Sequence, residues 1–374
     1  MQVTSVNNQH PGNNHNITIS TSPFHNITTS PFHNITTSPH HNISTSPMKN
    51  ILKKLYSYQT LTYDEARETL HKVSSGEAND SQIASFVTIY LLRPITIDEL
   101  RGFRDVLLDK CLAVELPDQT IDVCGTGGDE KNTFNISTLS AFVLAGAGIK
   151  VAKHGNYGVS SVSGSSNVLE HFGYQFTADA HVLRQQLADC NLCFMHAPLF
   201  HPALKAVAPI RKQLGIKTFF NMLGPLVNPA KPHYRMVGVY NLEIARMYHY
   251  LLQSEQRPYC VVHALGGYDE ISLTGEFKTF SQQGEQIFHP NQLNLAVVTP
   301  ESIFGGDTVE ESAEIFKSIL TGNGTQSQNA VVLANTAFAI QTVTQQSFTN
   351  CYKQAQDSLL SGKAYGILKQ LSNG

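Results

Sequence analysis

The sequence predicts an α/β protein: a small N-terminal helical domain plus a larger α/β domain with a mostly parallel central sheet. Two patterns carry that expectation. Between Met48 and Leu107, three amphipathic segments follow one another, each opened by a capping signal. From Thr120 onward, short apolar runs bounded by glycine alternate with helical runs, the pattern of a parallel sheet covered on both faces.

The helical segments are legible one by one. Thr62 and Glu65 form a capping box, in which each side chain satisfies the other residue's orphan N–H. Ala66, Leu70 and Val73 then share one face, and Gly76 closes the helix. Asn79 with Gln82 opens the second helix, with Ile83, Phe86, Val87 and Tyr90 on its apolar face, up to Arg93-Pro94. Thr96 with Glu99 opens the third, followed by Leu100, Phe103, Val106 and Leu107. Thr120-Ile-Asp-Val-Cys reads as a buried strand, and Ser137–Gly148 as a helix packed on the sheet. Val151-Ala-Lys-His is the next strand, and Pro202–Phe220 reads as a further helix.

The first 47 residues are a different material. His-Asn-Ile-Thr-Thr-Ser-Pro-Phe recurs at His25 and His33, and in altered form at His41. So few large apolar residues cannot bury a core, and disorder is the expectation. The Asn-Ile-Thr/Ser triplets there match glycosylation acceptors formally, but no apolar signal segment precedes them. The expected compartment is the cytoplasm. The resulting division is 1–47 tail, 48–117 helical domain and 118–374 α/β domain.

Composition narrows the function class. Of 374 residues, 41% are hydrophobic and 9% aromatic, which suits a globular chain. No apolar run is long enough to span a bilayer. A net charge of −3 argues against a nucleic-acid surface, which carries a basic excess. Six cysteines in so long a chain make no disulfide framework, and the Cys190/Cys193 pair reads as a helix end entering a strand.

The chemistry concentrates in Asp122-Val-Cys-Gly-Thr-Gly-Gly-Asp129, Asn135-Ile-Ser-Thr138 and Lys153-His-Gly-Asn156. Gly125, Gly127 and Gly128 permit backbone angles closed to other residues and let a ligand approach without a Cβ in the way. A strand, a glycine turn and a helix N-terminus offer free N–H groups and a favourable dipole to phosphate. Neighbouring parallel strands end on one edge, so Lys153 is expected to face the same crevice. Ser160–Ser166 supplies a third run of small hydroxyls. Asp269 and Glu270 follow an apolar strand and a glycine turn, where paired carboxylates fit Mg²⁺ but also fit a solvated acidic turn.

These motifs, with Asn221-Met-Leu-Gly-Pro-Leu-Val-Asn-Pro229 and Gly267-Tyr-Asp-Glu270, occur in order at suitable spacing from Met48 to the C-terminus. Together they resemble anthranilate phosphoribosyltransferase. The resemblance implies a phosphoribosyl-binding α/β domain and a helical domain to which a segment near 202–222 returns, with the sites in the cleft between them. It implies a homodimer that joins phosphoribosyl pyrophosphate (PRPP) to anthranilate, with Mg²⁺ as cofactor. By the same carry-over, PRPP is held by Gly125, Thr126, Gly127, Gly128, Asp129, Thr133, Asn135, Ser137, Thr138, Lys153 and Ser165. Anthranilate meets Gly125, Asn156, Arg211, His154, His201 and Pro225, and the metal meets Ser137, Asp269 and Glu270. No general base is assigned.

Some positions stay open on the residues alone. Lys153 also reads as a surface lysine, Arg211 as a solvated helical arginine, and His154 as a packed histidine. The resemblance places Arg at the position after Lys153-His-Gly-Asn156; here it is Tyr157. Pyrimidine nucleoside phosphorylase, which needs no Mg²⁺, is the alternative enzyme reading. A non-catalytic nucleic-acid-binding relative is the alternative from another class, and the charge balance opposes it.

Overall fold

The computed structural model describes residues 47–117, 119–158 and 161–372. The repeats before Pro47, and the Ser160 end of the third hydroxyl run, lie outside the described residues. The helical part opens with α1 (Pro47–Tyr56), α2 (Tyr63–Ser74), α3 (Asp80–Leu92) and α4 (Ile97–Lys110). Sequence reading assigned three helices; α1 is a fourth, whose Met48, Leu52 and Leu55 are buried. All three anticipated capping boxes are present, at Thr62/Glu65, Asn79/Gln82 and Thr96/Glu99.

The α/β part begins with β1 (Thr120–Gly125), α5 (Ile136–Gly146), β2 (Lys150–Gly155), α6 (Ser165–His171), α7 (Ala180–Cys190) and β3 (Leu192–His196). Short α8 (Ala197–Phe200), α9 (Ala208–Leu214) and α10 (Phe220–Leu223) follow, then β4 (Tyr234–Gly238), α11 (Leu242–Gln253) and β5 (Tyr259–Ala264). A hairpin of β6 (Phe277–Ser281) and β7 (Gly284–Phe288) precedes α12 (Val309–Leu320), α13 (Gln326–Thr344), α14 (Phe348–Leu360) and α15 (Lys363–Ser372).

Strand order is β3-β2-β1-β4-β5-β6-β7. The first five strands are parallel, and β6 and β7 run antiparallel at the edge. The strict alternation expected to near the C-terminus therefore stops at β5, and four helices end the chain. The order reverses at β1: β2 and β3 lie on one side, β4 and β5 on the other. Such a reversal opens a crevice at the carboxyl ends of the two central strands, because the following loops leave in opposite directions.

Two further expectations are corrected. The helix foreseen over Pro202–Phe220 is broken into a 3₁₀ turn at Pro202–Leu204, α9 and α10. Gly215 stops α9 in the left-handed region at φ 63°, a helix end that glycine adopts without a Cβ clash. The helix foreseen from Ser137 ends at Gly146, as its apolar run indicates, and does not continue to Gly148.

Packing explains why α5 carries no polar face. Every residue from Thr138 to Ala145 is buried, with α13 and α15 against it. A second core joins Phe86 and Phe103 of the helices to Ile210, Phe219 and Phe220 of the returning segment and to Val237 and Val261 of the sheet. Phe86, Tyr90, Phe103 and Phe219 meet edge-to-face or tilted, with ring centroids 4.8 to 5.7 Å apart. Segment 202–227 is thus packed into the helical bundle at one end and against the sheet at the other. Among the described residues, no helix is long and apolar enough to cross a membrane.

Candidate active site

The crevice at the strand reversal is a cavity of about 270 Å³, near the lower end of small-ligand pockets. Every candidate residue from the sequence lines it. The β1 loop contributes Gly125, Thr126, Gly127, Gly128, Asp129 and Thr133, and the start of α5 contributes Asn135, Ser137 and Thr138. From β2 onward come Lys153, His154, Asn156 and Ser165; the returning segment brings His201, Arg211 and Pro225, and the loop after β5 brings Asp269 and Glu270.

Close approach dictates the glycines. A Cβ on Gly125 would stand 2.3 Å from Asp269 Oδ2, and one on Gly238 would stand 1.5 Å from the Asp269 carbonyl oxygen. The Asp269 segment can lie across the ends of β1 and β4 only because both ends are bare. Gly127 and Gly128 take φ of 65° and 84°, and Glu130 and Asn132 also sit at positive φ, 59° and 46°. The Gly127 N–H donates to Asp269 Oδ2 at 2.6 Å, and the Lys131 N–H donates to Asp129 Oδ1 at 3.1 Å.

Asp269 and Glu270 are buried, not the solvated turn that spacing also allowed. Burial, with Asp129 and Glu270 nearby, lifts the Asp269 carboxyl well above its usual range. Burial raises Glu270 to about 7, against the opposing pull of the Lys153 ammonium and of hydrogen bonds from Ser137. Behind them, Asn335 fixes the turn: its amide oxygen accepts from the Ile271 N–H at 3.1 Å, and its NH₂ donates to the Ile271 carbonyl at 2.9 Å.

Buried carboxyl oxygens such as those of Asp269 and Glu270 are the hard donors that a divalent ion such as Mg²⁺ takes. Among the described residues, no group of three or more His, Cys, Asp or Glu side chains is arranged to hold a metal unaided.

Lys153 is buried, which removes the surface-lysine reading. Its ammonium donates to the Val123 carbonyl at 2.7 Å and lies close enough to pull down both Asp122 and Glu270. Asp122 accepts from the His154 N–H at 3.1 Å and from Asn228 Nδ2 at 2.8 Å, so it clamps β2 to β1 beside the lysine. Asn228 also donates to the Ala152 carbonyl. The sequence flagged neither residue for a role; both stand inside quoted motifs, which was the only signal.

Asn135 does not cap α5. Its Nδ2 instead donates to the Ser163 carbonyl at 3.0 Å, tying the β1 loop to the run after β2. Ser165 Oγ donates to the Asn156 carbonyl at 3.2 Å. Where the resemblance placed an arginine, Tyr157 packs edge-on over His196 with centroids 4.9 Å apart, and its hydroxyl reaches Glu170 at 3.4 Å.

At the other end of the cavity, Arg211 donates from Nη2 to Asn221 Oδ1 at 3.1 Å and lies over the Phe220 ring. Burial draws its pKa down, and no carboxylate among the described residues pairs with it. His154 donates from Nδ1 to the Gly224 carbonyl at 3.0 Å, and its ring lies 5.2 Å from that of His201. Burial holds the two near pKa 4 and 3, so both are neutral at pH 7. Among the described residues, Thr126, His154, Ser163 and Arg211 each line the cavity with a buried polar atom lacking a hydrogen-bond partner. Native interiors rarely tolerate such atoms, so their concentration here calls for a polar ligand.

An α/β sheet beneath a helical bundle, with a glycine-lined loop at the strand reversal, is the arrangement of a glycosyl transferase family. Residues 117–365 match the glycosyl transferase family a/b domain, and 49–111 match that family's helical bundle domain. Anthranilate phosphoribosyltransferase of Christiangramia forsetii is 53% identical over 322 residues, which is 86% of this chain and 97% of the relative. The crystal structure of the Thermus thermophilus enzyme superposes with TM-score 0.80 at 30% identity, covering 86% of this chain and 98% of that one. The Saccharomyces cerevisiae enzyme in complex with PRPP and Mg gives 0.81 at 26%, covering 89% and 99%. The chain belongs to the anthranilate phosphoribosyltransferase family.

Proposed function

We propose that this chain transfers the phosphoribosyl group of PRPP to the amine of anthranilate, giving N-(5-phosphoribosyl)anthranilate and pyrophosphate in tryptophan biosynthesis. The observation that carries the reading is a single cavity whose one end is a glycine anion cradle over buried carboxyls and whose other end is an unpaired guanidinium. The first end suits a diphosphate and the second a planar carboxylate.

In this reading the backbone from Gly125 to Asp129, with Thr133, Asn135, Ser137, Thr138, Lys153 and Ser165, holds PRPP. Ser137, Asp269 and Glu270 would hold Mg²⁺. Bound there, Mg²⁺ supplies positive charge against the negative charge that grows on departing pyrophosphate. Lys153 and the α5 N-terminus add to that stabilisation from fixed positions, without reorganising as the C1–O bond breaks. Arg211 grips the anthranilate carboxylate with two parallel hydrogen bonds. Asn156, His154, His201, Gly125 and Pro225 shape the aromatic slot and aim the nitrogen at C1. That nitrogen is already neutral at pH 7, so the attack needs no strong base.

We further read the chain as a cytoplasmic homodimer, divided at 48–117 with 202–222 and at 118–374. Exposed Tyr56, Tyr58, Leu91 and Leu92 on the helical part support a partner there. Anthranilate fluorescence is the direct assay: it should fall only when PRPP and Mg²⁺ are both present. Unchanged fluorescence, with phosphorolysis of thymidine instead, assigns the chain to pyrimidine nucleoside phosphorolysis.

A further inference from the structure

Lys217 has no part in the chemistry above, yet its side chain reaches from the returning segment to the glycine loop. It stands in the non-helical stretch between α9, which carries Arg211, and α10, which carries Asn221. Its ammonium donates to the Gly128 carbonyl at 2.6 Å and pairs with Glu130 at 2.6 Å. The lysine stem lies over the glycine: a Cβ on Gly128 would meet Lys217 Cδ at 3.6 Å. The Glu130 side chain is 76% exposed, so that ion pair contributes little. The bond to the Gly128 carbonyl is the informative one.

In a trans peptide, the carbonyl of one residue and the N–H of the next point in opposite directions. Pinning the Gly128 carbonyl to Lys217 therefore fixes the Asp129 N–H away from Lys217. The loop so pinned carries two non-glycine residues at positive φ, a conformation that persists only when its surroundings impose it. On the other side, Asn221 Oδ1 accepts from both Arg211 Nη2 and the Thr218 N–H, at 3.1 and 3.2 Å. Thr218 is the residue after Lys217. A continuous path of hydrogen bonds thus runs from Arg211 through Asn221 and Thr218–Lys217 to Gly128, and Gly127 donates in turn to Asp269.

We propose that Lys217 is a positioning residue that couples the two substrate subsites, so that a carboxylate on Arg211 and a diphosphate on the glycine loop strengthen each other's binding. The coupling builds on the function proposed above. Because coupling is reciprocal, it can be read from either ligand.

The test measures the Kd of anthranilate, by its own fluorescence, with and without saturating pyrophosphate and Mg²⁺. The intact chain should tighten at least ~5-fold, the lower end of ordinary couplings. Lys217→Met should reduce that ratio to ~2-fold or less while the Kd for anthranilate alone stays within ~3-fold. Lys217→Arg should restore the ratio, and Glu130→Gln should keep it. A simple scaffold role would lower the melting temperature and weaken both ligands at an unchanged ratio, which overturns the proposal. So does an intact chain without coupling. If Lys217→Met does not fold, the ratio is measured on Lys217→Gln instead, where a fall supports the coupling and an unchanged ratio overturns it. Loss of all anthranilate binding in the intact chain would instead sink the proposed function itself.

Discussion

Among the described residues, Arg211 is a half-buried guanidinium that meets a carboxamide and an aromatic face but no carboxylate. Leaving so much charge unpaired costs stability unless a ligand completes it. Arg211→Ala should therefore raise the KM for anthranilate roughly 10- to 150-fold, the equivalent of ~1.5–3 kcal/mol for a hydrogen bond to a charged group. The KM for PRPP should stay within a few-fold, and an equal rise in both would take Arg211 out of the anthranilate slot. The converse holds at the carboxyl pair. Asp269→Asn with Glu270→Gln should abolish Mg²⁺-dependent turnover, yet leave the melting temperature no lower, because burial and mutual repulsion already disfavour the charged forms of both carboxyls. A fall in melting temperature would mean that the pair holds the fold together. The sequence named these residues because each sits in a compact motif. It was silent on Asn335 and Lys217, whose roles depend on side-chain contacts 64 and 89 positions away.

Helix starts were the most legible elements, because a capping box is written in four consecutive residues. Glu99 shows that a cap can do more than its local job. Besides the Thr96 N–H it accepts from the Leu61 N–H at 2.9 Å and the Tyr90 hydroxyl at 3.2 Å, and it pairs with Arg93 at 2.5 Å. The side chain is fully buried, so α3, α4 and the turn before α2 share one carboxylate. Glu99→Ala should cost about 3–5 kcal/mol, the penalty for breaking one half of a buried ion pair. Denaturant unfolding measures it, and a loss below ~1 kcal/mol, the ceiling for exposed pairs, would mean that the network is worth no more than a surface bridge. Helix ends were less legible. α9 stops because Gly215 turns left-handed, whereas the apolar residues beyond it, Ile216, Phe219 and Phe220, still suggested a helix. α1 was not separated out as a helix of its own, although the helical pattern was read from Met48 onward.

At the scale of the whole molecule, strand order was beyond sequence reading: alternation predicts a parallel sheet but not which strand lies beside which. The reversal between β2 and β4 around β1 creates the crevice, and the second core locks the helical bundle against the same sheet. His154 and His201 lie buried where these parts meet, and they should govern acid stability. Their folded pKa values, about 4 and about 3, are below the unfolded value of 6.5. The unfolded chain therefore binds protons first as pH falls. The stability these rings contribute is complete above about pH 6.5 and is lost progressively below it. At pH 5 each ring should account for roughly 2 kcal/mol of loss, from 1.36 kcal/mol per pKa unit. Asp269 and Glu270, whose pKa values are raised, act in the opposite sense over the same range, so the difference between chains is the clean measure. Unfolding of the parent and of the His154→Gln, His201→Gln double variant should be compared at pH 7.5 and 5.0. The parent should lose about 4 kcal/mol more than the variant; parallel losses would place the acid sensitivity elsewhere in the chain.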